Sequence, residues 1–295
     1  MSPSPLAQNP RKPSSAGRRF AIVLLAGLSL LALPALGNVF GEDGRSYKPA
    51  TEPVLRAVGM LSKGERQVGS AFLVGECHAV TAHHSAFLGD DEGRGLTLHI
   101  GPDPLNAGRF SEHIPARPVL AGRYFPGSAV GMRGDWAVLE LDDCAGRRYG
   151  YLPVADDGEA DRPPAGPLMT VSFPRDKRRP GVAVEEGCRA RESGPVFGLI
   201  GVDCAFGAGM SGGPVLERQA NGQWKVIGLI QLRHAPTERV LPAYSHRHRN
   251  QMLHAATFVR QVQQLIGQRG TSALPRSALP TLVPSSASIS ANKRR

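Results

Sequence analysis

Three short stretches carry residue types that can do covalent chemistry. In "GMSGGPV", Gly209 to Val215, one serine stands among glycines whose backbone freedom suits a tight turn with converging N–H groups. A serine hydroxyl is a weak nucleophile unless a base takes its proton, and that base needs an acid to fix its tautomer. "CHAVTAHH", Cys77 to His84, places a short strand ahead of His83 and His84. "GDWAVLEL" places Asp135 just before an alternating run in which Ala137, Leu139 and Leu141 share one face. A carboxylate at the mouth of a buried strand needs a partner, and an imidazole N–H is a suitable one. Together the three fit acyl transfer through an activated serine.

Strands must carry these residues. From about residue 54 the chain alternates turn residues with short apolar runs: "AVGML", "GSAFLV", "LTLHI", "WAVLEL", "MTVSF", "VFGLIGV", "PVLE" and "KVIGLIQL". Runs this short and this rich in Val, Ile, Leu and Phe read as strands, and their number predicts an all-β barrel or sandwich. Asn221-Gly222 marks a hairpin between the last two runs. Phe258, Val259, Val262, Leu265 and Ile266 recur at helical spacing, predicting an amphipathic helix over Ala256–Ile266. Residues 268–295, rich in Ser, Pro and Ala, are expected to form a disordered tail.

At the N-terminus, Arg18 and Arg19 precede the uncharged run Phe20 to Gly37. Residues 1–37 are expected to be an export signal cleaved after Gly37, or a membrane anchor if uncleaved, and in both cases the rest is exported. The Arg-Arg pair is also a feature of twin-arginine signals. Residues 38–53 are polar and turn-rich, as in an extended leader or propeptide. The formal charge of +10 sits in the ends: Arg11, Lys12, Arg18 and Arg19 precede every acidic residue, and Arg269, Arg276, Lys293, Arg294 and Arg295 follow Gly267. The middle is close to neutral, which argues against a nucleic-acid partner. Basic ends touching anionic lipid are the reading for an anchored protein.

Four cysteines without a C-x-x-C pair in an exported chain favour disulfides over metal ligation, and three pairings are possible. Cys188 and Cys204 flank two β-prone stretches that meet at Ser193-Gly194, a hairpin they could bridge, which leaves Cys77 with Cys144. No metal or other cofactor is expected. His78 reads as a strand residue, His246 and His248 of "SHRHR" as a solvated loop, and "RDKRR", Arg175 to Arg179, as an exposed loop.

In the order His, Asp, Ser, the motifs "TAHH", "GDWAVLEL" and "GMSGGPV" resemble those of chymotrypsin-like (trypsin-like) serine proteases, particularly the bacterial trypsin-like and glutamyl-endopeptidase-like branch. The resemblance spans roughly Val54 to Ile266. It implies a protease domain over 54–267 built as two six-stranded antiparallel β-barrels, divided near 150–165, with a C-terminal α-helix. It further implies protein or peptide substrates; the export signal points to a secreted or periplasmic location, and a monomer is expected. Carried over by residue, His84 is the general base, Asp135 its orienting acid and Ser211 the nucleophile, while the N–H groups of Gly209 and Ser211 form the oxyanion hole. His83 stands where the family has alanine, so the base lies open between two neighbours.

Departures from the pattern carry expectations of their own. Met210 replaces the aspartate that pairs with a new N-terminal amine in trypsin-like zymogens, so that switch is not expected. Ser85 stands where many animal enzymes have a bridging cysteine. Ala205 replaces the aspartate that selects basic side chains in trypsin, Ile230 falls where glutamyl-specific relatives have histidine, and Arg233 could meet an acidic side chain or obstruct the pocket. The alternative to an endopeptidase is a protease-like module of the cell envelope that binds without turnover.

Overall fold

The structure, a computed structural model, describes residues 38–89, 92–155, 162–175, 177–192, 198–231 and 240–272, the last five of these by backbone alone. The expected signal or anchor, Arg233 and the tail beyond residue 272 lie outside the described residues. No helix among the described residues is long and apolar enough to cross a membrane.

Two short strands, β1 (Val39–Phe40) and β2 (Ser46–Lys48), and a one-turn helix, α1 (Pro53–Arg56), lead into a closed barrel. Its strands are β3 (Val58–Lys63), β4 (Arg66–Leu73), β5 (His78–Thr81), β6 (Leu96–Pro102), β7 (Phe110–Ala121) and β8 (Ala137–Leu141), hydrogen-bonded around the ring in the order β3-β4-β5-β8-β7-β6. Alternation over β6 buries every second side chain, and Leu98 and Ile100 pack inward with Leu61, Phe72, Val80 and Leu139. β7 escapes the sequence reading. Pro115 and Pro118 and its charged positions argue against a strand, yet its outer face is exposed and the register shifts between Pro118 and Leu120, where a missing N–H is tolerated.

Short helices interrupt the barrel: α2 (His83–Ala86) after β5, α3 (Ala129–Met132) before β8 and α4 (Gly146–Tyr149) after it. The second half contains β9 (Leu168–Ser172), β10 (Val182–Cys188), β11 (Leu199–Val202), β12 (Pro214–Arg218), β13 (Trp224–Gln231), β14 (Val240–Leu241) and β15 (Asn250–His254). The predicted hairpin joins β12 to β13, with Gly222 at φ 82° in its loop. The fold is mostly β, as expected, but the second half differs from a six-stranded closed barrel. It is a seven-stranded sheet ordered β11-β15-β13-β12-β9-β10-β2, because β2 adds to the free edge of β10. One isolated bridge, Ala190 to Val202, and the Cys188–Cys204 disulfide tie its β10 and β11 regions together. The remaining cysteines form Cys77–Cys144, joining the start of β5 to the segment after β8.

The segment expected as a leader is therefore tied to the second half, β2 within the seven-stranded sheet and β1 in a separate two-stranded one. Asn38 O accepts from Asn250 Nδ2 at 2.7 Å, and β1 pairs in parallel with β14. The same Asn250 amide reaches Cys204 O at 2.6 Å, so a polar residue is satisfied in a fully buried strand. The closing helix also differs from its predicted bounds. A separate 3₁₀ turn covers Ala255–Thr257, Phe258 leaves helical geometry at φ −137°, and α5 runs from Val259 to Ser272.

Candidate active site

β5 ends at Thr81, and Ala82, extended at φ −73° and ψ 142°, turns the chain into α2. This single turn buries Ser85 and Ala86 and leaves the His84 ring partly open to solvent. Asp135 arrives from the other side, on the turn between α3 and β8. Arg123 backbone lies against Gly134 where a Cβ would stand, so the turn needs glycine. The Asp135 carboxylate is fully buried and accepts from His84 Nδ1 at 2.9 and 2.8 Å and from the His84 backbone N–H at 3.0 Å.

Burial opposes charge on both partners, and their mutual attraction wins. His84 is held above its ordinary value because the Asp135 charge and hydrogen bond outweigh desolvation of the ring. Asp135 is held below its ordinary value because His84 outweighs its own burial, with help from the Gln231 amide. Gln231 is itself buried and donates to Met132 O at 2.8 Å, which fixes it beneath the carboxylate. His83 takes a different role. Its ring stacks on Phe87 at 4.4 Å, its Nδ1 has no partner among the described residues, and burial chiefly lowers its pKa.

The Ser211 turn docks on the barrel through Ser70. Ser70 N–H donates to Ser211 O at 2.8 Å, and Ser70 Oγ donates to Gly209 O at 2.9 Å while accepting from Phe173 N–H at 3.0 Å. A Cβ on Gly69 would lie 2.7 Å from Ser211 O and 2.6 Å from Ser85 Oγ, so this glycine permits the turn to approach the residue following His84. Among the described residues no direct hydrogen bond joins Ser211 Oγ to His84.

Within the turn the peptide orientations are fixed. Ala208 O accepts from Arg175 N–H at 2.7 Å and Met210 O from Gly213 N–H at 3.0 Å, so the trans peptides point the Gly209 and Ser211 N–H groups the other way. Met210 N–H donates to Gly207 O at 3.1 Å, whereas among the described residues the Gly209 and Ser211 N–H groups have no acceptor. Two such donors lie on one glycine-rich turn, Gly209 at φ 91°, the kind of backbone arrangement that can receive an anion.

Met210 points into the interior. Its Sδ accepts from Gly207 N–H at 3.0 Å, and Arg45 Nη1 lies 3.5 Å away. The Arg45 side chain is buried and forks onto Asp43, with Nε and Nη2 each at 2.8 Å. Nearby, Glu185 Oε2 accepts from Ala205 N–H at 2.7 Å, and burial pushes its carboxyl up to about 7 against the pull of that N–H and of Arg45. Ala205 and Ile230 are both buried, and Ile230 O accepts from Gly212 N–H at 2.8 Å, next to the serine.

Of the residues singled out in the sequence, His84 and Asp135 thus meet directly, Gly209 and Ser211 share the adjoining turn, Ala205 precedes it, and Ile230, in β13, bonds to it through Gly212. His78 lies in β5 opposite Glu140, and His246 pairs with Glu192 at 3.2 Å. Sequence reasoning missed Ser70, Gln231 and Arg45. A lone glutamine within "VIGLIQ" was a usable signal, because a polar residue in a buried strand needs a reason. Nothing in the spacing of Arg45 announces its burial.

Residues 69–229 match the trypsin-like peptidase domain. Among solved structures the chain is similar to a Glu endopeptidase determined in complex with MPD, with TM-score 0.56 and 16% identity over 78% of this chain and 100% of that one. It is also similar to the VesB protease of Vibrio cholerae, with TM-score 0.56 and 15% identity over 77% of this chain and 68% of that one. No curated protein sequence matches the chain. The chain belongs to the trypsin-like peptidase family, and it is a serine endopeptidase, a hydrolase.

Proposed function

We propose that the chain is an exported endopeptidase that cleaves peptide bonds through a Ser211–His84–Asp135 triad and an acyl-enzyme. The observation that carries this reading is the buried Asp135 carboxylate on His84 Nδ1, beside a serine turn with two N–H groups that have no acceptor among the described residues. With Nδ1–H donated to Asp135, His84 Nε2 is the basic nitrogen. Ser211 Oγ closes onto it when substrate binds, since catalytic hydrogen bonds are often long in the free enzyme.

In the first step Ser211 Oγ bonds to the scissile carbonyl carbon as its proton passes to His84 Nε2. The carbonyl π pair moves to oxygen, where the Gly209 and Ser211 N–H groups receive the charge. Asp135 stabilises the imidazolium without taking its proton. The intermediate collapses, the C–N bond breaks, and His84 gives its proton to the departing amine. Water then repeats the sequence on the ester, releasing the acid and restoring Ser211.

The seven-stranded sheet, with its bridge and disulfide, serves as the counterpart of the second barrel. The two disulfides fit an oxidising compartment, secreted or periplasmic. The test is hydrolysis of a quenched peptide library by the wild type and Ser211→Ala, together with fractionation of tagged protein. Loss of cleavage in the variant and recovery outside the cytoplasm are expected; equal cleavage by both proteins overturns the triad, and cytoplasmic retention overturns export.

A further inference from the structure

Cations crowd the oxyanion turn, and the steps above do not use them. The segment after β9 carries Arg175, whose N–H binds Ala208 O at 2.7 Å and whose Nη1 donates to Gln67 O at 3.4 Å. A Cβ on Gly209 would lie 2.9 Å from Arg175 Cγ and 2.6 Å from Gln67 Nε2, so the arginine stem borders the turn itself. Arg66, beside Gln67 at the start of β4, and Arg178 add their charges. Partial burial lowers Arg175 from its ordinary value, and the two neighbouring guanidiniums lower it further.

These charges lack counter-ions among the described residues. Lys177 is paired with Asp43 and Arg179 lies over the Tyr47 ring at 5.7 Å, but Arg66, Arg175 and Arg178 have no ion pair there. Like charges held together repel, and an arriving anion relieves that cost. A cavity of about 170 Å³ opens at the same place, sharing Gln67 and Phe173 with the surroundings of Gly209. Met60 and Phe110 give it apolar lining, and Arg178 and Arg179 give it positive charge. Two carboxylates also line it. Asp103 is occupied by the N–H groups of Leu105 and Asn106, and Glu65 is exposed at the β3–β4 turn.

Resting on the peptidase reading, we infer that this cavity is a subsite for the leaving-group side of the substrate and that it selects an acidic side chain there. The family resemblance places Ala205 and Ile230 in the pocket for the acyl-side residue, whereas the Arg175 stem borders the turn at Gly209, with Arg66 and Arg178 near that guanidinium. Residues C-terminal to the scissile bond pass this positive edge as the carbonyl oxygen enters the hole. Exposed cations act through solvent, so the preference weakens as salt screens it.

The experiment uses the full chain and quenched peptides identical except for Glu, Gln or Lys at the three positions after the cleaved bond. At low salt kcat/KM is expected to be about tenfold higher for Glu than for Gln and lowest for Lys, converging at about 0.5 M salt. Arg175→Gln combined with Arg178→Glu is expected to put Lys ahead of Glu, an inversion that a damaged fold does not produce. Equal rates for the three peptides, or wild-type preference for Lys, overturn the inference. Fluorescein-labelled versions of the same peptides binding to Ser211→Ala, read by anisotropy, report the preference without turnover. Tighter binding of Glu peptides without wild-type hydrolysis sinks the peptidase reading and keeps the cationic subsite; hydrolysis without Glu preference does the reverse.

Discussion

The carboxylate of Asp135 holds His84 at two points, the ring Nδ1 at 2.8 Å and the backbone N–H at 3.0 Å, so the residue and its imidazole are oriented together. Asp135→Asn removes the charge that raises His84 and presents an amide where Nδ1–H needs an acceptor. Activity is expected to fall by about 10⁴-fold in kcat. The acid limb of the kcat/KM profile is expected to move to lower pH, since His84 loses the interactions that hold its pKa up. A profile that keeps its acid limb in the variant contradicts the assignment.

The adjacent histidines separate by the same geometry. His84→Ala is expected to lower kcat/KM by about 10³-fold or more, and His83→Ala by less than about threefold. His83 rests on Phe87 and Tyr124 and among the described residues makes no hydrogen bond to Asp135, so its loss chiefly touches packing. Comparing the two rates on one peptide decides between them.

Much of the site was legible because its chemistry demands short motifs: a serine between glycines, a histidine after a strand, an aspartate before one. The elements that hold those motifs together were less visible. β7 hides behind two prolines tolerated on its partly exposed strand, and β15 hides behind Asn250, Gln251 and His254, polar residues buried in a central strand. Arg45 is the sharpest case. Its ion pair with Asp43 is local, but its burial is set by distant neighbours, Met210 and Glu185, and no local pattern records them.

Arg45 therefore makes a strong stability prediction. Arg45→Met leaves Asp43 and the buried Glu185 with less compensation, at an expected cost of about 3 kcal/mol. Thermal unfolding read by circular dichroism checks it. An unchanged Tm at neutral pH contradicts the role given to the guanidinium.

Glu185 supplies a pH signature. Its folded value of about 7 lies above its ordinary 4.5, mainly because it is buried. Between those values the folded chain keeps a proton that the unfolded chain has lost, so this group lowers stability as pH rises through the window. Glu185→Gln keeps an acceptor for Ala205 N–H and removes the titration. Relative to wild type, the variant is expected to gain on the order of 2 kcal/mol between pH 4 and pH 8. Parallel stability curves for the two proteins count against the assignment.

Gly69 tests how closely the turn must dock. In Gly69→Ala the new methyl meets Ser211 O at 2.7 Å and Ser85 Oγ at 2.6 Å, and the turn must shift. Stability is expected to drop by about 1–3 kcal/mol, with kcat/KM falling by about 10²-fold in protein still folded at the assay temperature. Full activity in the folded variant argues against close docking as a requirement.

Fluorophosphonate labelling of the purified chain, with the modified residue located by peptide mass spectrometry, addresses Ser211 itself. An activated serine attacks phosphorus and forms a stable adduct, which unactivated serines do not. Labelling of Ser211 in wild type, its loss in Ser211→Ala and its strong slowing in His84→Ala are the expected results. Folded wild-type protein that remains unlabelled, or is labelled equally without His84, contradicts the triad.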